Sequence, residues 1–257
     1  MYFTLYEIHV SQLSHWTFTR KTIKYSHFSI YMISISEHNK KVAVNRWRKV
    51  LLESYEKFNI TSSKYPELKA RIIGYLVGDG SVSMHREING VLHHSVDFYP
   101  DDEHMLKSFT EAFVKIYGVL PKVKNLGKYY SVRISSKPVA LDLLSVTTFS
   151  SLDWVIPSFK SEGEKKEFLR AIYDCEGYVG KRIIAIQSVN ENGLKNVQLL
   201  LKEFNIESKL YHYVRKNANW NTNHLLYITA MNSRRNFLKH IGFYHSRKQV
   251  KLLASVA

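Results

Sequence analysis

From Pro66 onward the apolar positions alternate between two periods. Spacings of three and four residues predict helices through Arg71–Asp79, Glu103–Tyr117, Pro138–Leu144, Phe168–Glu176, Asn192–Phe204 and Arg234–Ile241. Period-two runs predict strands at Val119–Val123, Tyr129–Ile134, Ile206–Leu210 and Leu225–Thr229, with room for hairpins within Val82–Phe98 and Tyr178–Ser188. Ahead of Pro66 the pattern is looser. Phe28–Ile35 reads as a short β-like run. Val42, Val44, Trp47, Val50 and Leu51 approximate one face of a helix from Lys41 to about Phe58. Asn59 and the Thr61-Ser62-Ser63 cluster are expected to close that helix, and Pro66 to open the next element.

The order of elements repeats. Arg71–Gly80 aligns with Phe168–Gly177, each an apolar helix ending in an acid and then glycine, and the elements downstream correspond one to one. Each half reads α-β-β-α-β-β-α. The expected fold class is α+β, with residues 1–65 as a basic N-terminal extension, 66–160 as the first repeat and 161–257 as the second. For the extension, a DNA-contacting arm and a folded-over cap are equally open readings. Its stretch to about Ser36, rich in Ser, Lys and Arg, also has some of the character of a mitochondrial presequence.

Charge narrows the partner. Lys and Arg number 37 against 22 Asp and Glu, a net charge of +15, which points to a polyanion. With 45% apolar residues the chain can bury a large core, and an aromatic content of 13% excludes a wholly disordered tail. No apolar run has the length of a membrane span. The single Cys175 excludes a disulfide scaffold and a thiolate zinc cluster. The expected setting is an intracellular one with access to DNA, an archaeal cytoplasm and an organelle matrix being equally compatible.

The two repeated helices each carry small residues four apart, Gly74 and Gly78 in one and Ala171 and Cys175 in the other. That spacing clears one face for close backbone approach, so each helix is the natural partner of the other, with Cys175 as a buried packing residue. Parallel packing makes Asp79 and Glu176 converge at two electronegative helix ends, an arrangement that costs stability until a cation binds between them. Oxygen donors of this kind suit Mg²⁺.

Ile72–Gly80 and Leu169–Gly177 resemble the two signature helices of the LAGLIDADG homing endonucleases, in the two-motif, single-chain form. The resemblance covers roughly residues 66–257. It implies two four-stranded antiparallel sheets forming a saddle over the DNA major groove, and a monomer that cuts both strands with Mg²⁺, leaving short 3′ overhangs. Asp79 and Glu176 match the family's metal-binding acids. Val77 departs from the signature where Asp174 keeps it. Around the acids, basic or amide groups are expected to polarise water and phosphate. Lys181 and Gln187 are the candidates in the second half and Lys128 in the first, where Ser95–Asp102 offers acids and aromatics instead.

The sheet strands are expected to read a long double-stranded DNA site. Candidate contacts are Ser83, His85, Arg86, Lys122, Lys124, Lys128 and Arg133 in the first half. Those in the second are Arg182, Lys209, Tyr211, Tyr213, Arg215 and Lys216. The twelve histidines do not form the compact metal unit of a His-Asn-His nuclease. Two alternatives on the same scaffold are an intron RNA maturase, for which intron RNA is the partner, and a DNA-binding regulator without cleavage. The initial Met in place of a splicing nucleophile favours a freestanding, intron-encoded enzyme over an intein.

Overall fold

The computed structural model describes residues 27–86, 92–214 and 221–257. The chain forms two units, Met1–Lys49 and Val50–Ala257. Helix α1 spans His27–Lys64. It takes in the run Phe28–Ile35 that was expected to be β-like, because a short, nearly continuous apolar run does not separate strand from helix by period alone. The face that carries Val44 and Trp47 is open: Val44 is 64% and Trp47 62% exposed. The C-terminal end of α1 docks on the first repeat. Phe58 is buried edge-on against Tyr117, ring centroids 4.9 Å apart. The Thr61 hydroxyl donates back to the Lys57 carbonyl at 2.9 Å, so the polar cluster continues the helix instead of closing it.

Two repeats follow. The first comprises α2 (Pro66–Asp79), β1 (Gly80–Arg86), β2 (Leu92–Phe98), α3 (Glu103–Tyr117), β3 (Lys122–Asn125), β4 (Tyr130–Ile134) and α4 (Lys137–Leu144). The second comprises α5 (Glu162–Glu176), β5 (Gly177–Gly180), β6 (Ile183–Ser188), α6 (Glu191–Glu203), β7 (Lys209–Tyr213), β8 (Asn223–Ile228) and α7 (Met231–His240). A further helix, α8 (Ser246–Val256), was not anticipated. Each repeat makes one four-stranded antiparallel sheet, ordered β1-β2-β4-β3 and β5-β6-β8-β7. The fold is α+β. Among the described residues no helix is long and apolar enough to cross a membrane.

Strands β3 and β7 begin three residues later than their apolar runs suggest. Gly118 takes a left-handed φ of 66° to end α3, and Pro121 cannot donate to a ladder, so pairing starts at Lys122. In the second repeat Asn205 makes the left-handed turn, and Ile206 is spent in the core.

Each sheet packs its inner face on its own helices, giving two cores, one around Phe98, Phe109 and Phe113 and one around Phe168, Tyr173 and Phe237. Helices α2 and α5 join them. A Cβ added at Gly74 would lie 2.7 Å from the Phe168 carbonyl oxygen and 2.8 Å from the Ala171 Cβ. One added at Gly78 would lie 2.4 Å from the Cys175 Cβ. The small residues of each helix therefore meet those of the other, as their spacing predicts. Arg71 adds an ion pair to Glu167 at 2.6 Å, and Lys69 pairs with Asp142 in a buried cluster that fastens α2 to α4.

The Gly78–Cys175 contact predicts that Gly78→Ala overpacks the interface and destabilises the chain by about 1–3 kcal/mol. Cys175→Gly in the same chain should recover part of that loss. Urea unfolding measures both, and a Gly78→Ala variant as stable as wild type contradicts contact at this distance.

Candidate active site and nucleic-acid face

Asp79 closes α2 and Glu176 closes α5, and a strand starts at the next residue in each case. The glycines after them are both extended, Gly80 at φ −119° and Gly177 at φ −77°. Glycine is required by space: a Cβ would lie 2.6 Å from the Leu76 Cα in the first case and 2.2 Å from the Tyr173 carbonyl oxygen in the second. The direct passage from helix to strand folds each residue back on its own last turn.

The two acids do converge. Burial raises the Asp79 pKa, opposed by the Cys175 thiol and the Lys248 ammonium. Burial, then the Asp79 charge, pushes Glu176 up to about 7. Lys248 is the basic residue that the sequence did not reveal, because it sits on the unanticipated α8. Its ammonium donates to the carbonyls of Asp174 and Cys175, the latter at 2.9 Å, and so caps the negative end of α5. It favours the ionised form of both acids without offsetting their burial, so both remain harder to ionise than free carboxyls. The donor set is oxygen only, two carboxylates at two helix C-termini, and this fits a hard divalent cation.

Asp174 explains how Lys248 arrives there. Its buried carboxylate accepts from the Tyr75 hydroxyl at 3.1 Å and from the backbone N–H groups of His245 at 3.0 Å and Tyr244 at 3.3 Å. Asp102 accepts from the Ser246 hydroxyl at 2.5 Å, and the buried His245 lies between Asp101 and Asp102. The acids of Ser95–Asp102 thus anchor the start of α8. In the first motif the position of Asp174 is Val77, which packs into the apolar core of the second repeat, where no such helix has to be held.

Pairing places the other candidates. Gly177 pairs with Ile186, so Gln187 lies across the hairpin from Glu176, and both line a cavity of about 320 Å³ with Tyr178, Leu225 and Tyr227. Tyr99 holds the matching place in the first repeat, its N–H donating to the Asp79 carbonyl at 3.1 Å. Lys181 is not brought to the acids. It sits in the β5–β6 turn, four residues beyond Gly177, roughly 13 Å of extended chain, where its carbonyl accepts from Arg234. Lys128 is exposed in the β3–β4 turn, which continues past β4 on the side of the sheet where Asp79 lies.

Alternation sorts the strand residues. In the first sheet Val96, Phe98, Val132 and Ile134 face the core, which leaves Ser83, His85, Lys122, Lys124 and Arg133 together on the open face. Ser83 and Ser95 hydroxyls lie 2.9 Å apart, the His85 and His93 rings stack, and Arg133 is held by Asp97 at 2.5 Å. In the second sheet Ile184, Ile186, Leu226 and Ile228 face the core. Lys209, Tyr211 and Tyr213 then share the open face with Tyr178, Leu225 and Tyr227, a surface far more aromatic than its counterpart. Arg182 is exposed in the β5–β6 turn. Arg215 and Lys216 lie outside the described residues, as does the side chain of Arg86.

Two αββαββα repeats joined by paired central helices, each ending in an acid, define a duplicated two-motif protein held in one chain. Residues 163–242 match the family model of the LAGLIDADG-like domain. The fold is that of the homing endonuclease I-DmoI. One I-DmoI structure, in complex with DNA and Mn, superposes with a TM-score of 0.55 at 16% identity, over 68% of this chain and 96% of that one. A mesophilic variant of I-DmoI gives 0.54 at 17%, over 68% and 88%. Two curated proteins of Methanocaldococcus jannaschii are also similar. Glutamine–fructose-6-phosphate aminotransferase is 28% identical over 210 residues, covering 74% of this chain and 17% of that protein. Replication factor C small subunit is 29% identical over 210 residues, covering 80% and 11%. The chain spans less than a fifth of the length of either relative.

A pH dependence follows from the raised carboxyls. The ordinary Glu value is 4.5, and in the folded chain Glu176 holds its proton to about pH 7. Between these values the unfolded chain binds fewer protons, so this contribution to stability is fully present below about 4.5 and is lost as pH rises through about 7. In EDTA the urea midpoint should fall over that range, less steeply in Glu176→Gln, and Mg²⁺ should restore it at the upper end. Identical pH profiles for wild type and Glu176→Gln contradict this electrostatic picture.

Proposed function

We propose that this chain is a DNA endonuclease of the homing type, cutting both strands of a long duplex site as a monomer. The observation that carries the reading is the convergence of Asp79 and Glu176 at the ends of two closely packed helices, between two sheets with open polar and aromatic faces. Two raised carboxyls held together against their mutual repulsion suit a cation site better than a structural contact. The I-DmoI structures support the reading, since they are complexes with DNA in the presence of Mn, Ca or 2 mM Mg. The two curated relatives carry unrelated names and share with this chain only a minor segment, which fits a mobile module independent of its host's chemistry. Intron encoding and 3′ overhangs are part of the proposal.

In this reading Asp79 and Glu176 hold Mg²⁺, one acid toward each strand. The bound cation supplies charge neutralisation at the phosphate and an acidified water. Both carboxyls must be ionised to take it up, so binding releases protons at and below neutral pH. Lys248 keeps the end of α5 in place and leaves the acids free on their other side. Gln187 offers an amide beside Glu176, while the matching strand position in the first repeat is Tyr99, so the two strand sites are chemically unequal. Lys128, Lys181 and Arg182, all on turns, contribute phosphate contacts instead of catalysis. Lys122, Lys124, Arg133 and Lys209 add charge from the sheets, while Ser83, His85, Tyr211 and Tyr213 meet base edges.

The test is cleavage and binding on one preparation. Asp79→Asn and Glu176→Gln should each lower double-strand cleavage by orders of magnitude, with binding in Ca²⁺ kept or tightened. Wild-type cleavage by either variant rejects the assignment, and splicing activity without cleavage moves the maturase reading ahead. With about 8–12 phosphates neutralised, log K should fall against log salt with a slope of about −0.9 per contact. A slope shallower than about −3 argues against an extended interface.

A further inference from the structure

On the helix-facing side of the second sheet, away from its open face, two imidazoles meet. His212 on β7 pairs directly with His224 on β8 in the antiparallel register. Their Nδ1 atoms are 2.8 Å apart and the rings are nearly perpendicular, at 85°. His224 is buried, and its face of β8 is shared with Leu226 and Ile228. Glu191, the first residue of α6, brings a carboxylate to the same place, and one ligand atom from each of the three residues lies within 4.8 Å of the others.

At 2.8 Å two imidazolium rings repel, so at least one ring is neutral at this contact. A neutral pair has two choices. One ring donates an N–H to the other, or both turn lone pairs to a shared cation. The carboxylate at the same point favours the second, because it adds a negative donor that a neutral imidazole hydrogen bond does not need.

We propose that Glu191, His212 and His224 form a Zn²⁺ site, separate from the acid pair of the active site. Two nitrogen donors and one carboxylate match a borderline divalent cation and disfavour Mg²⁺ and Ca²⁺, which prefer oxygen throughout. Tetrahedral bonds of about 2.0–2.1 Å place two nitrogens roughly 3.3 Å apart, so a ring rotation opening the gap by about half an ångström completes the bite. Glu191 must leave Lys195, an exposed i,i+4 pair at 2.6 Å of the kind that holds weakly. Three protein ligands leave a fourth position for water. Bound there, the ion ties the edge strand β7 to β8 and to the start of α6. The opposite face of β7 carries Lys209, Tyr211 and Tyr213, so the ion would fix the strand that presents them.

The experiment uses the full chain stripped with EDTA and titrated with Zn²⁺ in excess Mg²⁺, by calorimetry and by the shift in thermal unfolding. Wild type should take up one Zn²⁺ per chain at about micromolar affinity or tighter and unfold at a higher temperature with it. His212→Gln and the double variant His212→Gln/His224→Gln should lose both effects, and Glu191→Gln should weaken them. Asp79→Asn/Glu176→Gln should keep them. Since His212 is exposed, its single variant keeps the test open if the change at buried His224 prevents folding. The proposal is overturned if wild type binds no Zn²⁺ at tens of micromolar. It is equally overturned if a folded His212→Gln binds as wild type does, or if uptake follows the acid pair.

Discussion

The close approach of α2 and α5 is the constraint on which the rest depends. Gly78 against Cys175 and Gly74 against Ala171 leave no room for a larger side chain on the first helix, so the distance between the two helices is set by backbone. Two cores are built outward from that seam, one on each side. The seam also decides where the two acids sit. The carboxylates of Asp79 and Glu176 follow directly from the last turns, and their separation is inherited from the packing rather than adjusted by a loop.

Such a seam brings two negative helix ends together, and the structure compensates with an element of its own. Lys248 caps α5, α8 carries Lys248, and α8 starts where Asp174 and Asp102 hold the backbone of residues 244–246. One of those anchors lies on a signature helix and the other at the start of α3, so the compensation spans both repeats. It is incomplete: the acids stay raised, which is the condition in which a divalent cation has most to offer.

The helices, the duplicated order and the convergence of the acids were legible in the sequence because each rests on a local pattern: period, small-residue spacing, an acid before glycine. Gln187 was legible for the same reason, since hairpin register follows from the helix end. Lys181 was misplaced by the neighbouring argument, which took nearness in sequence for nearness in space and overlooked that an antiparallel strand carries its far residue away. Lys248 and the roles of Asp102 and Asp174 had no local signature, being long-range partners fixed only by tertiary packing. The apolar face of α1 was legible but its exposure was not, because periodicity reports amphipathicity and says nothing of whether another surface covers it.

Duplication gives two equal halves, and the departures from equality fall where the halves have different work. Val77 and Asp174 occupy matching places, one filling the core of the other repeat and one anchoring a helix that only the second repeat has. Tyr99 and Gln187 hold matching strand positions, each following the residue paired with the glycine after an acid. The open face of the first sheet is hydroxyl, imidazole and guanidinium, while that of the second is largely tyrosine and leucine. Paired helices demand symmetry only along their contact. Their divergence is what a single chain gains over a pair of identical ones: each face can change on its own while the seam between them stays fixed.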